Sequence, residues 1–113
     1  MDSARARGLL DRERSRIEKA INEVESERQD EPFYDDQHGE DRSADLAREE
    51  LEDGQLETLR EELAAVERAE KRLAEGTYGL SRESGEPIPD GRLESVPWAE
   101  RTVDEQERYE RGL

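Results

Sequence analysis

Apolar residues recur along the first part of the chain at the spacing of one helix face. Leu10, Ile17 and Val24 stand seven apart, and Ile21 follows Ile17 by four, so all four share a stripe at helical period. The stripe is narrow, and Arg14 and Arg28 interrupt its second row. A helix over residues 2–29 with so thin an apolar face needs a partner to cover it. At about 1.5 Å per residue it would run roughly 42 Å. Pro32 ends it, since the residue before proline is pushed out of the α region. A second run supplies the partner. Leu59, Val66 and Leu73 form one heptad row, Leu56 and Leu63 the other, and Ala47 and Leu51 share a face nearer its start. Ser43 is the expected N-cap and Gly76 the left-handed stop. Gly54, inside this second helix, costs about 1 kcal/mol against alanine and marks an expected bend. The two seams match in kind and spacing, which predicts an antiparallel coiled-coil hairpin over residues 1–75, with helices at 2–29 and 43–75. The connecting loop keeps the local partner effectively concentrated, so the expected state is a monomer.

Residues 30–42, DEPFYDDQHGEDR, join the helices and are strongly acidic. His38 lies among Asp35, Asp36 and Glu40, a set that invites a metal-site reading. One histidine among loop carboxylates defines no coordination geometry, and the segment is read as a solvated tip loop. Beyond Gly76 the pattern changes. Tyr78, Leu80, Ile88, Leu93, Val96 and Trp98 place six apolar side chains in 21 residues, the expected core of a small lobe over residues 76–113, with Trp98 as its anchor. Pro87, Pro89, Asp90-Gly91 and Pro97 set turns between them. Thr102-Val103-Asp104-Glu105 is a capping box that starts a short last helix. The fold class is therefore mostly all-α: a helical hairpin, a small lobe and a C-terminal helix.

Composition narrows the function. Charged residues make up 45 % of the 113, the hydrophobic set 30 %, and the net charge is −15, which excludes a large globular core. It also argues against binding the outside of duplex DNA, where phosphate contacts need clustered Lys and Arg. An acidic surface suits a basic protein groove, a metal-bearing cavity or a high-salt cytoplasm. There is no cysteine, so disulfides and thiolate metal sites are impossible. The N-terminal residues lack the apolar run of a signal peptide, and no segment nears the roughly 20 apolar residues that span a bilayer. A cytoplasmic protein with no membrane contact is the expectation. Catalysis finds no support either: Ser81 and Ser84 have no neighbouring base, and the carboxylate pairs read as helix-surface charges near Arg at i+3 or i+4.

The lobe carries a more specific signal. The pattern Ala69-x-x-Arg72-Leu73-x-x-Gly76-x-Tyr78-Gly79, followed by Gly85-Glu86-Pro87-Ile88-Pro89-x-x-Arg92-Leu93-Glu94-x-x-Pro97, resembles the zinc-finger lobe of the DksA/TraR family, bacterial regulators that bind RNA polymerase rather than DNA. The likeness covers about a third of the chain. In that family the lobe holds zinc through Cys-x2-Cys-x17-Cys-x2-Cys. The same spacing falls here on Ser81, Ser84, Thr102 and Glu105, none of which replaces a thiolate on zinc. The resemblance thus implies a member whose C4 finger has lost its metal and which carries no cofactor.

The resemblance further implies that the hairpin enters the secondary channel of the polymerase, where a tip motif Asp-x-x-Asp-x-Ala acts near the active site. Asp45-Leu46-Ala47 matches the second half of that motif. The first acid should stand at position 42, which is Arg42, and Asp41 lies one residue early. Asp41, Asp45 and Ala47 are the expected polymerase-contacting residues. The leading expectation is a transcription regulator that binds RNA polymerase without DNA sequence recognition and is not an enzyme. The alternatives are a coiled-coil interaction module or decoy that no longer regulates, and a metal-dependent hydrolase using the loop carboxylates.

Overall fold

The structure, a computed structural model, describes residues 1–29 and 42–112. The chain is an antiparallel helical hairpin followed by a small lobe and a short C-terminal helix. Helix α1 runs Ser3–Gln29 and α2 runs Arg42–Glu75; the lobe adds α3, Asp90–Ser95, and α4, Val103–Glu110. Asp2 caps α1: its Oδ1 accepts the Arg5 backbone N–H at 2.8 Å, satisfying one of the first-turn donors. Helix α2 begins one residue before Ser43, which therefore lies in the first turn and is not the cap. It passes through Gly54 without interruption. At its far end the Thr77 N–H donates to Arg72 O and the Gly76 N–H to Leu73 O, with Gly76 at φ 81°. That pair of bonds is the Schellman stop expected of a glycine in this place.

Two compact units cut across the boundary drawn at residue 75: Met1–Ser15 with Ala64–Leu113, and Arg16–Leu63. In the first, Ala6, Leu10, Val66 and Ala69 are buried, and in the second Ile17 and Leu56. Ile21, Val24, Leu59, Leu63 and Leu73 are only half-buried. Alanines thus fill places between the larger seam residues, which the heptad rows alone did not reveal. The two arginines that interrupt the α1 seam each meet acids on α2. Arg14 Nη2 lies 2.6 Å from Glu70 Oε1, and Arg28 Nε lies 3.0 Å from the buried Glu52 while Nη2 pairs with Asp53. Long arginine stems cover the seam while their heads reach carboxylates.

The lobe core is Ile88, Leu93 and Ala99, with Met1, Tyr78 and Val96 packed against it. Leu80 does not belong to this core, being 39 % exposed. It pairs with Pro87 in an isolated antiparallel bridge, and in extended backbone successive side chains face opposite ways. Ser81 takes the inward place, so Leu80 faces out. Trp98 is likewise absent from the cluster. A turn closed by Ala99 N–H on Val96 O sends Ala99 inward and leaves Trp98 half-buried at a neighbouring cleft. Asp90-Gly91, expected as a turn, opens α3 instead, with Pro89 preceding it at φ −57°. Among the described residues no helix is long and apolar enough to cross a membrane.

Candidate functional site

The lobe brings together two pairs of residues that are far apart in sequence, Ser81 with Ser84 and Thr102 with Glu105. Thr102 caps α4: its Oγ1 accepts the Glu105 N–H at 3.3 Å, and the Glu105 carboxylate Oε1 accepts the Thr102 N–H at 2.9 Å. Helix α4 therefore starts on a complete capping box, satisfying two donors reciprocally. The second carboxylate oxygen, Oε2, accepts the Ser81 hydroxyl at 2.9 Å. Ser81 Oγ in turn accepts the backbone N–H groups of Glu83 and Ser84, at 3.1 and 3.2 Å. Ser84 Oγ accepts the Glu86 N–H at 3.3 Å. Ser81 and Glu105 are both buried. The Thr102 backbone N–H, then the Ser81 hydroxyl, hold the Glu105 carboxyl down at about 2, against the opposing effect of burial. A carboxylate given this many donors stays ionised through the physiological range.

Beside this knot lies a second buried acid that the sequence pattern did not disclose. Glu100 Oε1 accepts Arg68 Nε at 2.6 Å and Arg72 Nη1 at 3.1 Å, and Oε2 accepts Arg82 Nη1 at 3.3 Å. The Arg82 N–H also donates to Glu100 O at 2.9 Å. Burial pushes the Glu100 carboxyl up, but the hydrogen bond and charge of Arg68, reinforced by Arg72, hold it below the ordinary value. Arg72 Nε and Nη2 are buried with no protein partner among the described residues. Arg68 and Arg72 share a face of α2 at i,i+4, but no spacing rule links them to Arg82 and Glu100, so the sequence did not point to this cluster.

A cavity of about 590 Å³ opens against the same elements, lined by four arginines together with Trp98 and Tyr109. Those cations are already committed. Arg68 and Arg82 bind Glu100, Arg92 Nε donates to Arg101 O at 3.1 Å, and Arg101 pairs with Glu83 at 2.8 Å. Arg101 also sits 3.8 Å over the Tyr109 ring, a cation–π contact. Of the expected tip residues, Asp45 lies in the first turn of α2, 3.8 Å from Arg48, and Ala47 is exposed. Asp41, His38 and most of the expected tip loop lie outside the described residues.

Residues 76–111 match the prokaryotic dksA/traR C4-type zinc finger. The chain also superposes on transcription factor DksA2 from Pseudomonas aeruginosa with a TM-score of 0.81, covering 97 % of this chain and 84 % of that one at 28 % identity. The chain belongs to the DksA/TraR family. Among curated relatives, General stress protein 16O of Bacillus subtilis is 44 % identical over 54 residues, 48 % of this chain and 33 % of that protein. The RNA polymerase-binding transcription factor DksA of Caulobacter vibrioides is 43 % identical over 49 residues, 43 % of this chain and 34 % of that protein. The aligned stretch thus spans about a third of the length of these relatives.

Within a DksA/TraR finger, Ser81, Ser84, Thr102 and Glu105 stand at the ligand spacing, and they do not fit zinc. Structural zinc takes thiolate or imidazole donors, and the set here offers three neutral hydroxyls and one carboxylate. Both carboxylate oxygens are engaged, and Ser81 Oγ donates once and accepts twice. Among the described residues no group of three or more His, Cys, Asp or Glu side chains could hold a metal ion. The arrangement does what a metal does for such a lobe: it ties the 81–84 turn to the start of α4. It does so through hydrogen bonds to one buried carboxylate.

Proposed function

We propose that this protein is a transcription regulator that binds RNA polymerase through the secondary channel and does so without reading DNA sequence. The observation that carries the reading is the fold itself, a hairpin followed by a finger-like lobe that superposes on DksA2 over 97 % of the chain. Supporting it are the family match over residues 76–111 and the net charge of −15, which disfavours DNA phosphates. The regulator is a cytoplasmic monomer, holds no zinc and is not an enzyme. Its hairpin tip, with Asp41, Asp45 and Ala47, approaches the polymerase active site. Hard carboxylate oxygens suit magnesium, and a low-dielectric channel strengthens their effect.

A second reading, a channel-occupying decoy, is favoured by one feature: Arg42 stands where the family's first tip acid belongs. Purified RNA polymerase and a transcription assay separate the two. Asp45→Asn should leave binding nearly intact and abolish any effect on transcription. Arg42→Asp, which completes the family's tip pattern, should strengthen that effect. If the protein binds polymerase and both variants behave like the parent, the decoy reading replaces the regulator. Failure to bind polymerase at all removes both.

A further inference from the structure

In the unit Arg16–Leu63, α1 and α2 leave an open groove of about 750 Å³. Its floor is apolar, with Ala20 and Val24 from α1 and Leu51, Gly54 and Leu59 from α2. Leu51 is 63 % exposed. Among the described residues, the charged side chains lining the groove are Glu23, Glu27 and Glu50. None of the three pairs with a cation among the described residues, whereas Glu25, Glu52, Asp53 and Glu62 nearby all do.

Gly54 adds an independent observation. It sits in the interior of a 34-residue helix, where it costs about 1 kcal/mol against alanine. Its φ is not positive, and a Cβ built on it would meet nothing within 4 Å. Neither backbone conformation nor packing within the described residues requires a glycine here. A glycine on a helix face does allow a second helix to approach more closely than side chains otherwise permit.

We propose that this groove is the docking site for a basic amphipathic helix of a protein partner. The partner's apolar face lies over Gly54 between Val24 and Leu51, and its Lys and Arg side chains reach Glu23, Glu27 and Glu50. The lining stretch of α2 extends about 14 Å at 1.5 Å per residue, which accommodates two to three turns and anchors at i, i+4 and i+7. A second copy of this chain suits the groove poorly, because its own exposed helix faces carry the same negative charge. None of Asp41, Asp45 and Ala47 is among the described groove residues, and docking there does not require the tip to enter a polymerase channel.

The test uses the full chain and a synthetic helical peptide with leucine at i, i+4 and i+7 and lysine on the flanks. A control peptide keeps the charge and replaces each leucine with glutamine. Fluorescence anisotropy gives affinity, and amide chemical shifts give the site. The expected result is saturable one-to-one binding, with shifts confined to residues 20–27 and 50–59. The control peptide should bind at least about tenfold more weakly, since its apolar anchors are gone. The Glu23→Lys/Glu27→Lys double variant, or raised salt, should weaken the leucine peptide about fivefold or more. Gly54→Leu should hold or raise the melting temperature while weakening the peptide about tenfold, a pairing that unfolding cannot produce. Equal binding of the two peptides, shifts spread over the whole acidic surface, or full affinity in the Gly54→Leu variant would overturn the proposal. So would a dimer in light scattering whose interface is this groove.

Discussion

The lobe and the hairpin stretch Arg16–Leu63 use their carboxylates differently. In the lobe, Glu105 and Glu100 are buried and saturated with donors: two backbone or hydroxyl groups on the first, three arginines on the second. In the hairpin stretch most of the described acids stay at the surface. The exception follows the same rule, for the buried Glu52 has Arg28 at 3.0 Å and Arg48 at 3.8 Å. A charge removed from water requires several donors, and those donors fix the segments that carry them. Surface charges impose no such order and leave a face available to partners. The lobe thus achieves with hydrogen bonds the cross-linking that zinc supplies in a C4 finger, while the hairpin relies on a seam of apolar side chains.

The largest expected effect comes from reversing that substitution. A variant with Ser81→Cys, Ser84→Cys, Thr102→Cys and Glu105→Cys should bind one zinc per chain, with a binding free energy on the order of 10 kcal/mol. The parent should contain none, and chelator should leave its melting curve unchanged. Elemental analysis of both proteins checks this. Zinc held stoichiometrically by the parent would contradict the hydrogen-bonded description of the lobe.

Next in size is the lobe core. Leu93 is 1 % exposed, and Leu93→Ala should cost about 2–5 kcal/mol. The same change at the half-exposed Leu80 should cost below about 1 kcal/mol. Trp98 is the sole tryptophan and lies in the lobe, so its fluorescence follows lobe unfolding while far-UV circular dichroism follows the long helices. Comparable losses at both leucines would place Leu80 inside the core after all.

The polar knot predicts a smaller, pH-dependent effect. Ser81→Ala leaves the Glu83 and Ser84 N–H groups and one Glu105 oxygen without their partner, a loss of about 1–3 kcal/mol at neutral pH. In the parent the Glu105 carboxyl is depressed from 4.5 to about 2. A depressed folded-state value means the contribution is present above the ordinary carboxylate value and is lost as pH falls from 4.5 toward about 2. Glu100, also held below its ordinary value, adds in the same direction. Acid should therefore loosen the lobe within that window, and Ser81→Ala should shift its midpoint to higher pH. A Trp98 signal that is flat across the window would remove Glu105 from the stability of the lobe.

The smallest effect belongs to the exposed hairpin pairs. Arg60 and Glu25 lie 3.0 Å apart with both side chains largely in water, so Arg60→Ala should change stability by no more than about 1 kcal/mol, and less at high salt. Denaturant titration in low and high salt makes the measurement. A loss as large as that of Leu93→Ala would erase the contrast between the two regions.

Most of what proved readable in the chain rests on short-range rules. Seven-residue spacing located both long helices, Gly76 stopped the second, and Thr102 with Glu105, three apart, fixed the start of α4. Such features form among residues one or two turns apart, so local pattern is enough to show them. The resemblance to the DksA/TraR finger set Ser81, Ser84, Thr102 and Glu105 in a common frame, but only the folded lobe supplied the Ser81–Glu105 bond across 24 residues. Tertiary structure likewise decided that Leu80 faces out, that Asp90-Gly91 opens a helix, and that Glu100 gathers Arg68, Arg72 and Arg82. In each case the choice depends on which distant groups compete for the same buried volume or the same carboxylate. Hydrophobicity and charge do not encode that competition residue by residue; it is resolved only when the segments pack and every buried polar atom must find a partner.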